Sequence, residues 1–224
     1  MEFVALYVVL SVIIGYLLGS INASVIIGKI FYGKDIREYG SGNAGATNTL
    51  RTFGKPAAAA VLVVDFLKGI AACLVGRLLV GHIDNFGWAG VYLAGFAAVL
   101  GHNWPVFFGF RGGKGVLTSF AVVLYISPVP ALICLAAFIA VVALTGYVSL
   151  GSIVGAILWP VVSLLFNLPA VMIAVAVLMS ALIVISHKDN IKRLIVGTEK
   201  KLSFKNKKLY NAVSEFIVFT RLFR

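Results

Sequence analysis

Along the first half of the chain, long apolar runs alternate with short polar intervals at a spacing that matches a bilayer. No Asp, Glu, Lys or Arg occurs from Phe3 to Gly28 or from Asn85 to Phe110. A spanning helix needs about 20 apolar residues, so these intervals predict spans one and three. Residues 56–80 are apolar except for Asp65, Lys68 and Arg77, which predicts a second span carrying ionisable groups at a depth where they are expensive. From Val116 to His187 Asp, Glu, Lys and Arg are absent altogether, and breaks fall at 127–130, 145–152 and 167–169. Four helical segments follow. The first of them, 116–127, would cover only about 18 Å of a hydrocarbon core of ~30 Å, so three longer spans compete with four.

The basic residues decide between these counts. Lys29, Lys34, Arg37, Arg51 and Lys55 follow span one, Arg111 and Lys114 follow span three, and ten bases lie after position 187. Basic loops collect on the cytoplasmic side, and only an even number of crossings after span three puts all three groups there. The pattern therefore predicts an all-α integral membrane protein of seven transmembrane helices, N-terminus outside and C-terminus cytoplasmic. The opening apolar run is preceded by Glu2 alone and is too long for a signal-peptide core, so it reads as a retained first span.

Composition agrees. Of 224 residues, 61% are hydrophobic and 12% charged, where a soluble domain carries about a quarter charged residues. A water-soluble fold is excluded, and the length leaves room for one membrane domain, 1–201. The tail 202–224 mixes Lys and Arg with Leu, Phe, Ile and Val and reads as a basic amphipathic or partly disordered cytoplasmic segment. The net charge of +11 fits loops facing anionic lipid rather than nucleic acid. Cys73 and Cys134 lie in apolar runs without metal-ligand spacing.

This topology gathers four polar segments, 39–55, 109–115, 147–152 and 187–199, on one cytoplasmic face. The first, Gly40-Ser41-Gly42-Asn43-Ala44-Gly45-Ala46-Thr47-Asn48 with Arg51 beyond it, matches a dinucleotide fingerprint in letters only, because a membrane helix and not a β-strand precedes it. What remains is the physics of an anion cradle: backbone N–H groups, small polar side chains and a helix N-terminus. The second, Arg111-Gly112-Gly113-Lys114-Gly115, lacks the spacing and the Ser/Thr of a nucleotide-hydrolysing loop but suits a second cradle, with Lys114 as a point charge. His187, Asn190 and Arg193 recur every three residues and share a helical sector, with Glu199 just beyond. Asp65 and Lys68, three apart, read as a supporting ion pair. Ser20, Asn22, His102 and Asn103 are polar for their depth and read as helix-packing hydrogen bonders. A G-x-S-x-G elbow and an H-E-x-x-H helix are both absent from the sequence, which argues against a covalent enzyme intermediate.

Taken together, the Gly40–Asn48 segment, Gly101-His102 with Pro105, Arg111–Val116, Gly151-Ser152 and His187-x-x-Asn190-x-x-Arg193-x-x-x-Gly197-x-Glu199 closely resemble the bacterial acyl-phosphate:glycerol-3-phosphate acyltransferases, the PlsY family, over residues 3–200. The resemblance implies a seven-span enzyme of the bacterial cytoplasmic (inner) membrane with its active site facing the cytoplasm. It would move a fatty acyl group from acyl phosphate to the 1-hydroxyl of glycerol 3-phosphate, giving lysophosphatidic acid and inorganic phosphate, without cofactor or metal. It also implies handover from an acyl-phosphate synthase upstream and to a lysophosphatidate acyltransferase downstream. By resemblance and position, Ser41, Gly42, Asn43, Gly45, Thr47 and Asn48 form one phosphate cradle and Arg51 clamps an anion. Lys114 with Gly112 and Gly113 binds the other phosphate. Ser152, His187 and Asn190 position glycerol 3-phosphate, Arg193 is a further substrate-binding residue, and either a substrate phosphate or His187 takes the hydroxyl proton. A transporter or exchanger of small phosphorylated metabolites is the alternative, since it too needs anion cradles in a helical bundle.

Overall fold

The computed structural model describes residues 2–81 and 88–202. The expected tail falls almost wholly on 203–224, outside the described residues. Among the described residues ten α-helices lie in order: α1 (Glu2–Ser20), α2 (Ala23–Tyr32), α3 (Ala46–Phe53), α4 (Lys55–Val80), α5 (Ala89–Asn103), α6 (Val116–Ile126), α7 (Pro128–Thr145), α8 (Val148–Leu165), α9 (Ala170–Ser186) and α10 (Lys188–Ile195). Five helical stretches of the described residues are long and apolar enough to cross a bilayer: Val4–Tyr32, Lys55–Val80, Ala89–Phe108, Pro128–Thr145 and Val148–Leu165. The bent pair α9–α10, turning 59° at His187, makes a sixth if read as one span. The 11-residue α6 falls short. The interval 116–187 thus folds into four helices and not three, while length alone supports five or six crossings where the loop charges indicate seven.

Two expected spans differ in detail. Span one breaks at Ile21–Asn22, because the Asn22 side chain accepts from the Val25 N–H at 3.1 Å and starts α2 afresh as its N-cap. Span three ends as a helix at Asn103, since Pro105 disfavours helical geometry at Trp104 and supplies no N–H.

Helices α1, α4 and α5 form one tight group and α7, α8 and α9 a second, with α6 between them. The first group is held by small residues: a Cβ added at Gly19 would run into the backbone of Ala98 on α5, the kind of close approach that lets membrane helices pack without a hydrophobic drive. A buried apolar cluster of Cys73, Val91, Val99, Val122, Val123, Ala131, Cys134, Trp159, Ala176 and Met179 joins the two groups. At the end of the bundle where α3, α6, α8 and α10 begin, the helices leave a cavity.

Candidate active site

The first polar loop is organised by one buried side chain. The Asn48 amide donates towards the carbonyls of Ile36, Tyr39 and Asn43 at 3.2, 2.9 and 3.1 Å, and its Oδ1 accepts from the Ser41 N–H at 2.9 Å. Asn48 therefore shapes the loop from within. Val25, Ile36 and Ala44 pack beneath it.

The second loop is built differently from the expected cradle. The N–H groups of Gly112 and Gly113 donate to the carbonyls of Asn103 and His102 at 3.1 and 3.0 Å. These are carbonyls that the end of α5 leaves without helical partners, so both amides are already engaged. Arg37, which sequence reasoning placed only among the topogenic bases, ties the two loops together: its guanidinium donates to the carbonyls of Phe108 and Arg111 at 2.6 and 3.2 Å. The same guanidinium grips Asp35 at 2.7 Å and holds that carboxyl down to about 2.

Lys114 projects from this loop and donates to Oδ1 of Asn190. Burial lowers its ammonium to about 8. The Asn190 amide in turn donates to Glu199 Oε1 at 2.6 Å, which also accepts from Ser149 Oγ at 2.7 Å, while Glu199 Oε2 accepts from Arg193 Nε at 2.7 Å. Burial works to raise the Glu199 carboxyl, but the hydrogen bonds from Arg193, Asn190 and Ser149 outweigh it and hold it below the usual range. The segment after α10 is strapped down at two further points, by Arg51 on the Lys200 carbonyl at 2.9 Å and by the Leu202 N–H on the Gly146 carbonyl at 2.7 Å.

His187, buried at the α9–α10 bend, has Nδ1 at 2.8 Å from the Ile183 carbonyl. A carbonyl only accepts, so Nδ1 carries the ring proton and Nε2 keeps its lone pair. Burial and then the Lys114 charge push the ring down to about 4, leaving a neutral imidazole.

A cavity of about 350 Å³ receives these groups. Ser41, Asn43, Gly45, Thr47, Asn48, Arg51, Lys114, Ser152, His187 and Asn190 line it, as do Ser149 and Glu199. Gly42, Gly112, Gly113 and Arg193 are not among its lining residues. The first-turn residues of α3, α6, α8 and α10 all contribute to the wall, so four helix N-termini bring unpaired N–H groups and positive potential to one space. The same cavity continues into an apolar end walled by Phe120, Val123, Cys134, Phe138, Ala156 and Trp159.

Comparison with known proteins shows the family to which the chain belongs. The glycerol-3-phosphate acyltransferase family model matches residues 9–197. The chain is 49% identical over 202 residues to the glycerol-3-phosphate acyltransferase of Clostridioides difficile (strain 630), covering 89% of this chain and 97% of that one. It is 47% identical over 200 residues to that of Thermoanaerobacter sp. (strain X514), covering 89% and 98%. The chain belongs to the glycerol-3-phosphate acyltransferase family.

Solved acyltransferases carry the same fold. The crystal structure of PlsY (YgiH), an integral membrane glycerol 3-phosphate acyltransferase, superposes in its glycerol 3-phosphate form with a TM-score of 0.80 at 38% identity, covering 88% of this chain and 96% of that one. Its lysophosphatidic acid form gives 0.77 at 37% identity. This chain is accordingly a multi-pass membrane acyltransferase of the PlsY type, and its cavity, polar at one end and apolar at the other, suits a phosphorylated acceptor beside an acyl chain.

Proposed function

We propose that the chain transfers a fatty acyl group from acyl phosphate to the 1-hydroxyl of glycerol 3-phosphate on the cytoplasmic face of the bacterial inner membrane. The topology that goes with it has seven crossings, counting α6 and α9, with the N-terminus outside; the basic loops support it. The observation that carries the chemistry is a cavity in which Lys114, Arg51 and four helix N-termini face a space continuous with an apolar end. Two phosphorylated groups repel each other, each bearing about −1.5 to −2 charges at neutral pH, and these donors offset that repulsion.

In the reaction the acceptor hydroxyl oxygen bonds to the acyl carbonyl carbon, the carbon–oxygen bond to phosphate breaks, and phosphate leaves with the acyl group's former bond electrons. The mixed anhydride already has a good leaving group, so positioning and charge neutralisation supply the catalysis. The hydroxyl proton ends on a substrate phosphate, whose second ionisation near pH 6 makes it a better acceptor at neutral pH than an imidazole held at about 4. His187, through Nε2, and Ser152 orient the acceptor. Thr47 and the N–H groups opening α3 hold one phosphate, and Lys114 the other. Asn48, Gly112, Gly113 and Arg193 act behind these groups, through the hydrogen bonds described above.

Purified protein in lipid, given palmitoyl phosphate and glycerol 3-phosphate, should release phosphate and form lysophosphatidic acid one for one, need both substrates, and fail with palmitoyl-CoA. Binding of glycerol 3-phosphate without any acyl transfer would overturn the enzyme reading in favour of transport. The apolar end has its own test. Gly155 has room for a Cβ, whose nearest neighbour would be the Cys134 carbonyl at 3.4 Å. Gly155→Leu should therefore fill the acyl end, raising KM for palmitoyl phosphate about tenfold and leaving KM for glycerol 3-phosphate unchanged.

A further inference from the structure

Asp65, Lys68 and His102 are buried together between α4 and α5. Lys68 Nζ lies 2.8 Å from Asp65 Oδ1 and 2.9 Å from His102 Nδ1, and donates to the Ile21 carbonyl at 2.9 Å. An ammonium only donates, so Nδ1 of His102 accepts and the ring proton sits on Nε2, the tautomer opposite to that of His187. A buried ion pair is a poor source of stability, since apolar residues of the same volume usually do as well or better. Asp65 and His102 also reach the wall of the cavity, and the use of the pair lies in what it holds in place there.

What it holds is the slot around Gly113. A Cβ at Gly113 would run into the imidazole of His102 on one side and come within 2.8 Å of the Ala44 carbonyl on the other. The His102 carbonyl accepts the Gly113 N–H. Asn22 Nδ2 donates to the Ala44 carbonyl at 3.4 Å, and Asn22 follows Ile21, whose carbonyl Lys68 fixes. One ammonium thus secures both walls: the ring directly, and the first loop through the break between α1 and α2. The residue after Gly113 is Lys114.

We propose that Asp65, Lys68 and His102 are positioning residues for the reaction, clamping Gly113 between the His102 ring and the Ala44 carbonyl of the first polar loop so that Lys114 enters the cavity at a fixed height. The inference rests on the reading of Lys114 as a phosphate ligand; with Gly113 held against the first loop, the distance between the two substrate phosphates is fixed as well.

Two variants test it. Asp65→Asn/Lys68→Met removes the pair without leaving a lone buried charge. His102→Asn keeps an acceptor oxygen near the Nδ1 position but removes the ring edge from Gly113. The full-length protein in lipid is labelled with an amine-acylating reagent across pH, and Lys114 modification is followed by peptide mass spectrometry. In the parent the midpoint should lie near 8. In both variants it should move up towards the ordinary lysine range as Lys114 gains solvent, while Arg51, His187, Asp189, Arg193 and Glu199, the charged and titratable groups around it, are unchanged. Displacement of about 1 Å should also lower kcat/KM by about 10²-fold, with the loss in KM for a phosphorylated substrate and the melting temperature held. An unchanged Lys114 midpoint in folded variants overturns the positioning role. Absence of acyl transfer by the parent instead overturns the functional reading, and the labelling still decides whether the clamp exists.

Discussion

Lys114→Met should lower kcat/KM by about 10²- to 10³-fold, the loss typical of removing one preorganised donor from a site where charge is transferred, while the melting temperature stays near the parent's. The side chain stem is kept, so packing at the start of α6 changes little. What disappears is the one ammonium that reaches the cavity from the second loop. Its ionisation gives a second readout. Burial brings Lys114 to about 8, so the cationic form dominates below that pH and is lost above it. Because kcat/KM reports the free enzyme, its alkaline limb should fall with a midpoint near 8. Lys114→Arg should remove that limb whatever rate it retains, since a guanidinium stays charged throughout. An alkaline limb that survives in Lys114→Arg would assign it to another group and remove Lys114 from the binding step.

Much of this site is legible before any coordinates, and the parts that are not have identifiable causes. Loop charge and apolar run lengths place Ser41, Arg51, Lys114, Ser152, His187 and Asn190 at one end of the bundle, and all six line one cavity. The Asp65–Lys68 pair follows from helical spacing, but its third member, His102, comes from another helix and no local pattern announces it. Glycine runs are ambiguous in a different way. Glycine permits an N–H to face an anion without saying what else competes for it. At Gly112 and Gly113 the competitors are the carbonyls at the end of α5, and the signal was present in Pro105, which stops that helix and leaves them unpaired. Crossing number is the least legible feature, because α6 is only 11 residues long and charge and length then point to different counts.

Glu199→Gln should be almost as damaging as the loss of Lys114, by about 10²-fold in kcat/KM, although no substrate need touch it; misplacement of an aligned group is enough. The carboxylate uses Oε1 for Ser149 and Asn190 and Oε2 for Arg193, four acceptor positions serving three donors. An amide keeps one oxygen. If that oxygen faces Arg193, the new NH2 meets the Asn190 amide; if it faces Asn190, the NH2 meets the guanidinium. Either way two donors confront each other in a buried place, and the cheapest relief is rotation of Asn190, which takes its Oδ1 away from Lys114. Stability carries an independent signature. The three hydrogen bonds depress the Glu199 carboxyl in the folded state, so its stabilisation is complete above the ordinary glutamate range and is lost as pH falls through the depressed value. The parent should therefore lose melting temperature in that acid window, and Glu199→Gln should start lower at neutral pH and decline less across it. Asn190→Asp separates the two roles of the network: it puts a second carboxylate beside Glu199 yet offers Lys114 an oxygen, so melting temperature should fall further than in Glu199→Gln. If Glu199→Gln keeps parental turnover with a flat acid profile, Asn190 is not held by Glu199 in the way that aligns Lys114, and the strap after α10 serves stability alone.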